Sequence, residues 1–164
     1  MAQYEIKDGV CIIPQGTTEI HDSAFSKQKW LDSEELKSIV IPDTVSHIGD
    51  CAFFGCENLT SIVLPDSITK IGEYAFYGCE KLTSIIIPNS VVEIGQAAFE
   101  CCKSLKTITL PGTLKKIGIS QFFYCYALET IFVPNNSVEF FKKELIEKEA
   151  FLHEPHPQIL PLKE

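Results

Sequence analysis

A period of 23 residues runs through most of this chain and leaves few folds open to it. Leu59–Lys81 reads LTSIVLPDSITKIGEYAFYGCEK; the pattern begins again at Leu82 and Leu105, begins earlier at Leu36, and starts once more at Leu128. A proline follows the short apolar run each time, at Pro42, Pro65, Pro88, Pro111 and Pro134. Repeats of this length are stacked coils, each too small to bury its own apolar face without a neighbour.

The columns of the repeat define the interior. Leu36, Leu59, Leu82 and Leu105 open the coils. Ile39, Ile62, Ile85 and Ile108 come next, and Ile41, Leu64, Ile87 and Leu110 follow two residues later. A spacing of two is strand periodicity, so these segments are predicted to lie side by side as a parallel sheet, roughly 4.8 Å apart. Proline ends each strand because it cannot donate to the ladder. Further inward columns are Val45, Ile68, Val91 and Leu114, then Ile48, Ile71, Ile94 and Ile117. The glycine after each of these isoleucines marks either a positive φ or a close approach of backbones. Ala52, Ala75 and Ala98 precede Phe53, Phe76 and Phe99, and this Ala-Phe segment is predicted to make a helical or 3₁₀ turn.

The ends depart from the pattern. Gln3–Ile13 reads as a hairpin turning at Asp8-Gly9, able to cover the open edge of the first coil. The first coil is degenerate: His21 stands where the other coils have glycine, and five extra residues lie between Phe25 and Leu36. That insert carries Lys29, Trp30, Asp32 and Glu34, with Trp30 either packed on the first coils or exposed as an anchor for a partner. After Pro134, the spacing of Val138, Phe140, Phe141, Leu145 and Ile146, with Lys and Glu between them, predicts an amphipathic helix, with Asn136 or Ser137 as its N-cap. The expected organisation is one domain over 1–152, comprising a hairpin cap (1–13), repeats (10–134) and a helical cap (135–152). A Pro-rich tail, extended or partly disordered, follows at 153–164.

Charge and cysteine content narrow the partners. A net charge of −8, with no arginine in the sequence, argues against nucleic acid, which needs clustered cations. The apolar runs are four or five residues long, too short to insert in a membrane. Residues 1–10 lack the basic and apolar regions of a signal peptide, and seven cysteines leave at least one thiol unpaired. Together these suggest a cytoplasmic location, or a surface or secreted one if an export signal has been trimmed away.

With these residues in view, the chain resembles the BspA-type leucine-rich repeat family. The motif LxSIxIPxSVxxIGxxAFxGC covers 10–134, and Leu82–Phe99, LTSIIIPNSVVEIGQAAF, follows it almost position for position. The resemblance implies a leucine-rich repeat solenoid, right-handed and curved, of about six coils, with the proline-terminated strands on the concave side. It also implies a role in adhesion or protein recognition.

The candidate sites divide accordingly. Cys56, Cys79, Cys102 and Cys125 recur at the repeat period and should stack in one column. A straight column does not converge on a tetrahedral metal, and its spacing is slightly wide for a disulfide, so buried hydrophobic thiols are expected. No phosphate loop, nucleophile elbow or metalloprotease motif is present, and His153 and His156 fall in the tail; the expectation is a non-enzymatic protein with no cofactor. The positive candidate is the outward face of the strands. Its mid-strand column is Ile12, Val40, Val63, Ile86, Thr109 and Phe132. Ser38, Ser61, Ser84, Thr107 and Thr130 run beside it, and Asp43, Asp66, Asn89, Gly112 and Asn135 follow the prolines. An apolar stripe flanked by hydroxyls and a partly acidic edge suits a protein or peptide partner, with the chain a monomer or weak homodimer. The alternative is a structural or self-associating repeat segment of a larger surface protein.

Overall fold

The computed structural model describes residues 4–27, 35–151 and 156–162; Trp30 and its neighbours in the insert, and His153, lie outside them. The elements run β1 (Ile6–Lys7), β2 (Val10–Ile12), β3 (Glu19–Ile20), β4 (Ser38–Val40), β5 (His47–Ile48), β6 (Ser61–Ile62), β7 (Lys70–Ile71), β8 (Ser84–Ile86), β9 (Glu93–Ile94), β10 (Thr107–Thr109), β11 (Lys116–Ile117), β12 (Thr130–Val133), α1 (Val138–Glu147) and β13 (Gln158–Pro161). The coils contribute segments to three stacked walls, the last coil having α1 in place of a second-wall strand.

The first wall holds the strands before the prolines, in two four-stranded sets, β1-β2-β4-β6 and β8-β10-β12-β13. All neighbours are parallel except the hairpin β1–β2, where Ile6 faces Cys11. Asp8 and Gly9 turn the hairpin with φ of 54° and 83°, the paired positive values that a type I′ turn requires. The second wall, β3-β5-β7-β9-β11, is a five-stranded parallel sheet of two-residue strands that column reading did not anticipate. Only one residue of each strand points inward, so the alternation that marks a strand has no room to appear.

The third wall keeps turns where a helical or 3₁₀ turn is expected, and adds bonds between coils. Alternate amides of each Ala-Phe segment keep local turn bonds, such as Ala52 N–H to Gly49 O at 3.3 Å, Phe54 N–H to Cys51 O at 3.0 Å and Cys56 N–H to Phe53 O at 3.1 Å, while the amides between them leave the coil. Phe25 N–H donates to Ala52 O at 2.7 Å, Phe53 to Ala75 and Phe76 to Ala98 at 2.8 Å. Positive φ at Cys51, Tyr74, Ala97 and Ser120 turns alternate amides along the stack, so a helix, which would satisfy them internally, does not form.

The core lies between the walls. Phe25, Phe53, Phe76, Phe99 and Phe122 stack with centroids 5.1–6.2 Å apart, each worth about 1.5–3 kcal/mol in burial, with a further contribution from the rings. Tyr4 of the cap extends the stack at one end, 4.9 Å from Phe25. At the other end α1 buries Phe141 and Leu145, and the chain then returns to the third wall. Phe122 N–H donates to Ala150 O at 2.8 Å, and Phe151 stacks on Phe122 at 5.7 Å. Ala150-Phe151 is thus the last Ala-Phe step, displaced along the sequence by the helix. Ser137 occupies the N-cap of α1 after a 3₁₀ turn over Asn135–Ser137, but makes no side-chain cap bond; its hydroxyl lies 3.3 Å from Asn136 Oδ1.

The cysteine column is more than small hydrophobes. Cys56, Cys79, Cys102 and Cys125 each donate the thiol to a phenylalanine carbonyl of the preceding coil, Phe25, Phe53, Phe76 and Phe99, at 3.0–3.4 Å. All seven cysteines are free. Burial pushes the Cys56 thiol up to about 12.

Candidate functional site

Strand alternation places the predicted stripe on the surface. Ile12, Val40, Val63 and Ile86 are 68%, 53%, 80% and 70% exposed, whereas the adjacent Ile39, Ile62 and Ile85 are buried. The strand register sets the stripe side by side: Ile12 pairs with Val40, Ile86 with Thr109, and Thr109 with Phe132. Thr109 and Phe132 are half-buried, so the apolar exposure is concentrated in the first four rungs. The hydroxyl column lies beside it, with Ser61 and Ser84 exposed and Ser38, Thr107 and Thr130 half-buried. Asp43, Asp66, Asn89, Gly112 and Asn135 are all exposed past the prolines.

One member was missed. β13 pairs with β12 in parallel, and Leu160 stands opposite Phe132 as a further rung. The segment is rich in proline, which signals an irregular tail; pairing with β12 is a tertiary effect that composition does not carry.

The polar corners hold the stack in register. Thr44, Thr69 and Thr113 donate their hydroxyls to Thr17, Ser46 and Asn89 carbonyls of the preceding coil. Exposed pairs such as Lys27–Glu57 at 2.9 Å also join coils, each contributing at most about 1 kcal/mol. Lys116, bonded at 2.8 Å, and Lys70 hold the Glu93 carboxyl below its usual range.

The histidines stand apart. His21 Nδ1 lies 2.6 Å from Glu19, His47 Nδ1 lies 2.7 Å from the Ser46 hydroxyl, and His156 lies against the Phe151 ring at 5.0 Å. Among the described residues no three His, Cys, Asp or Glu side chains come together to hold a metal, and no helix is long and apolar enough to cross a membrane.

The comparisons agree with this architecture. The chain is similar to a leucine rich repeat protein of T. pallidum, at 31% identity and a TM-score of 0.69, over 79% of this chain and 67% of that one. A leucine rich cell surface protein from Faecalibacterium prausnitzii A2-165 is 35% identical with a TM-score of 0.70, over 77% of this chain and 32% of that one. A leucine-rich repeat protein from Bacteroides ovatus ATCC 8483 is 28% identical with a TM-score of 0.67, over 94% and 42%. The chain thus spans between about a third and two thirds of the length of these proteins. No curated protein matches the sequence. The family description "BspA type Leucine rich repeat region" matches in six copies over residues 29–153. The protein is a leucine-rich repeat solenoid, and it belongs to the BspA-type leucine-rich repeat family.

Proposed function

We propose that this solenoid is a non-enzymatic recognition scaffold, adhesin-like, that binds a protein or extended peptide on the outward face of its first wall. The observation that carries the reading is the lateral ladder of exposed aliphatic side chains, Ile12, Val40, Val63 and Ile86. Singly exposed apolar residues are ordinary on a protein surface, but a contiguous row bordered by polar residues marks an interface. Ser38, Ser61 and Ser84 supply hydroxyls on one side of the row, and Asp43, Asp66 and Asn89 supply acceptors beyond the prolines. The rungs are roughly 4.8 Å apart, so the row from Ile12 to Leu160 spans about 29 Å, enough for one interface patch of standard size.

The alternative, a self-associating segment that pairs through its edges, is disfavoured by the chemistry of β13. Gln158 N–H donates to Glu129 O and Leu162 N–H to Val133 O. Residues 157, 159 and 161 therefore turn their backbone toward the free edge, where parallel pairing would engage them. Two of these are Pro157 and Pro161, leaving Ile159 as the one N–H donor among the three, and proline on an edge strand blocks pairing.

Affinity isolation with the wild-type chain, Ile86→Asp and Thr69→Asp tests the reading, after circular dichroism shows equal folding. A partner retained by the wild type and Thr69→Asp but lost with Ile86→Asp supports it. Retention of the partner by Ile86→Asp contradicts it.

A further inference from the structure

The aliphatic ladder has a spacing as well as a composition, and the spacing selects what can lie along it. Ile12 stands opposite Val40, and the register that sets Ile39 opposite Ile62 puts Val63 next to Val40. Ile86 follows one coil later, where the first wall passes from one four-stranded set to the other. The coils stay together there, because β7 and β9 remain paired on the second wall. The buried phenylalanines keep the same step throughout, at 5.3, 5.1 and 5.4 Å from Phe25 to Phe99. Each rung is therefore about one strand spacing from the next, and the four exposed side chains span about 15 Å along the solenoid axis.

Regular backbones differ in how they meet such a row. An extended segment laid along the axis turns alternate side chains to the wall, so four of them cover about 20 Å and slip by a whole rung. Laid along the strands instead, it meets one or two rungs. Polyproline II returns to the same face about every 9 Å and meets every second rung. An α-helix rises about 1.5 Å per residue, so side chains at i, i+3, i+7 and i+10 span about 15 Å in one narrow stripe. Of these, the helix alone gives each rung one side chain.

The borders of the ladder add charge on one side. Asp43 and Asp66 are exposed beyond the prolines that follow Val40 and Val63. None of the ion pairs among the described residues includes either carboxylate. The opposite border carries exposed hydroxyls, those of Thr60, Ser61, Thr83 and Ser84. Cations one helical turn apart on one flank of a docked helix complement the two aspartates, which lie one coil apart.

We propose that the ladder takes an amphipathic α-helix of a partner protein, lying along the solenoid axis. Its apolar residues fall at i, i+3, i+7 and i+10, and lysine or arginine lines the flank that faces Asp43 and Asp66. The inference rests on the reading of the ladder as the recognition surface and narrows its partner to a helix. A helix reversed end to end swaps its flanks, so the aspartates also fix the direction in which it runs.

A synthetic peptide of about 18 residues tests the proposal, with leucine at i, i+3, i+7 and i+10, lysine at i+4 and i+8, and alanine and glutamine elsewhere. A second peptide has the same composition with its leucines at alternate positions, and a third has glutamate in place of lysine. Fluorescence anisotropy gives the affinities, and far-ultraviolet circular dichroism gives the helix gained on binding. The first peptide should bind with a Kd on the order of tens of micromolar and gain helix as it does. The alternating peptide should bind at least about tenfold more weakly, because it cannot seat all four leucines. The glutamate peptide should bind about threefold more weakly or worse, and Asp43→Asn combined with Asp66→Asn should bring these two affinities together. Ile86→Asp should lose the first peptide. Equal or tighter binding of the alternating peptide, itself lost with Ile86→Asp, would overturn the helix and leave the ladder as the recognition surface. Binding of the first peptide that survives Ile86→Asp, or none at millimolar concentration, would also overturn the proposal. Failure of the wider reading shows separately, as a natural partner retained by Ile86→Asp.

Discussion

The two glycine columns hold their residue for different reasons, and Gly95→Ala set against Gly78→Ala separates them. At Gly95 the φ is not left-handed, but an added Cβ would meet Glu73 N at 2.5 Å, Gly72 C at 2.7 Å and Glu73 Cα at 2.8 Å, all backbone of the preceding coil. Backbone cannot rotate away as a side chain can, so the coils must part, and the Gly95 N–H to Ile71 O bond at 2.9 Å is strained with them. Overpacking of this kind costs about 1–3 kcal/mol and the bond about 1, for a total of about 2–4 kcal/mol. At Gly78 the nearest atom to an added Cβ is Gly55 Cα at 3.6 Å, ordinary contact, and the cost is the positive φ alone, about 1 kcal/mol. Cys101 and Tyr124 already occupy that column at φ of 61° and 62°. Urea unfolding followed by circular dichroism measures both variants, and Gly95→Ala should also lower Tm by about 5–12 °C. Equal losses, or a larger loss at Gly78, would refute the argument that coil-to-coil approach fixes the first column. The same reasoning accounts for His21: each glycine of its column would push a Cβ into the coil before it, and among the described residues no coil stacks before the one that carries His21.

Three further outcomes follow from the geometry. Ile85→Asp should unfold the chain by burying an unpaired charge, costing more than about 4 kcal/mol, while Ile86→Asp one residue away should leave the unfolding free energy from urea titration within about 0.5 kcal/mol of wild type. Native-state thiol titration should detect Cys51, Cys101 and Cys125, which are partly exposed, and detect Cys11, Cys56, Cys79 and Cys102 only after unfolding. Alkaline stability should decline for the same reason. The Cys56 thiol is raised from 9.0 to about 12, so the unfolded chain loses its proton first; the contribution is complete below pH 9 and is lost as pH rises toward 12, as urea midpoints would record.

Much of this was legible in the sequence because a repeat shows each structural position several times. Ile85 and Ile86 could be assigned to opposite faces from strand alternation, and the columns through Phe76 and Cys79 to the interior from composition at fixed spacing. The second wall was not legible, because Glu93–Ile94 and its equivalents hold one inward residue each. The turns of the third wall were legible as helical or 3₁₀ turns, but that every second amide bonds to the next coil was not, because stacking rather than local propensity decides it. Ala150-Phe151 was missed because α1 interrupts the 23-residue count before it, and β13 because its prolines mask a pairing made only in the folded chain.

The measurement closest to the central claim is site-specific photo-crosslinking in lysate, with a photoreactive residue at Val63 or Ile86 on the ladder and at Thr69 on another wall. The account predicts a discrete adduct with the same protein from both ladder positions, none from Thr69, and loss of the Val63 adduct when Ile86→Asp is added. Adducts of equal yield from Thr69, or a Val63 adduct that persists with Ile86→Asp, would contradict it.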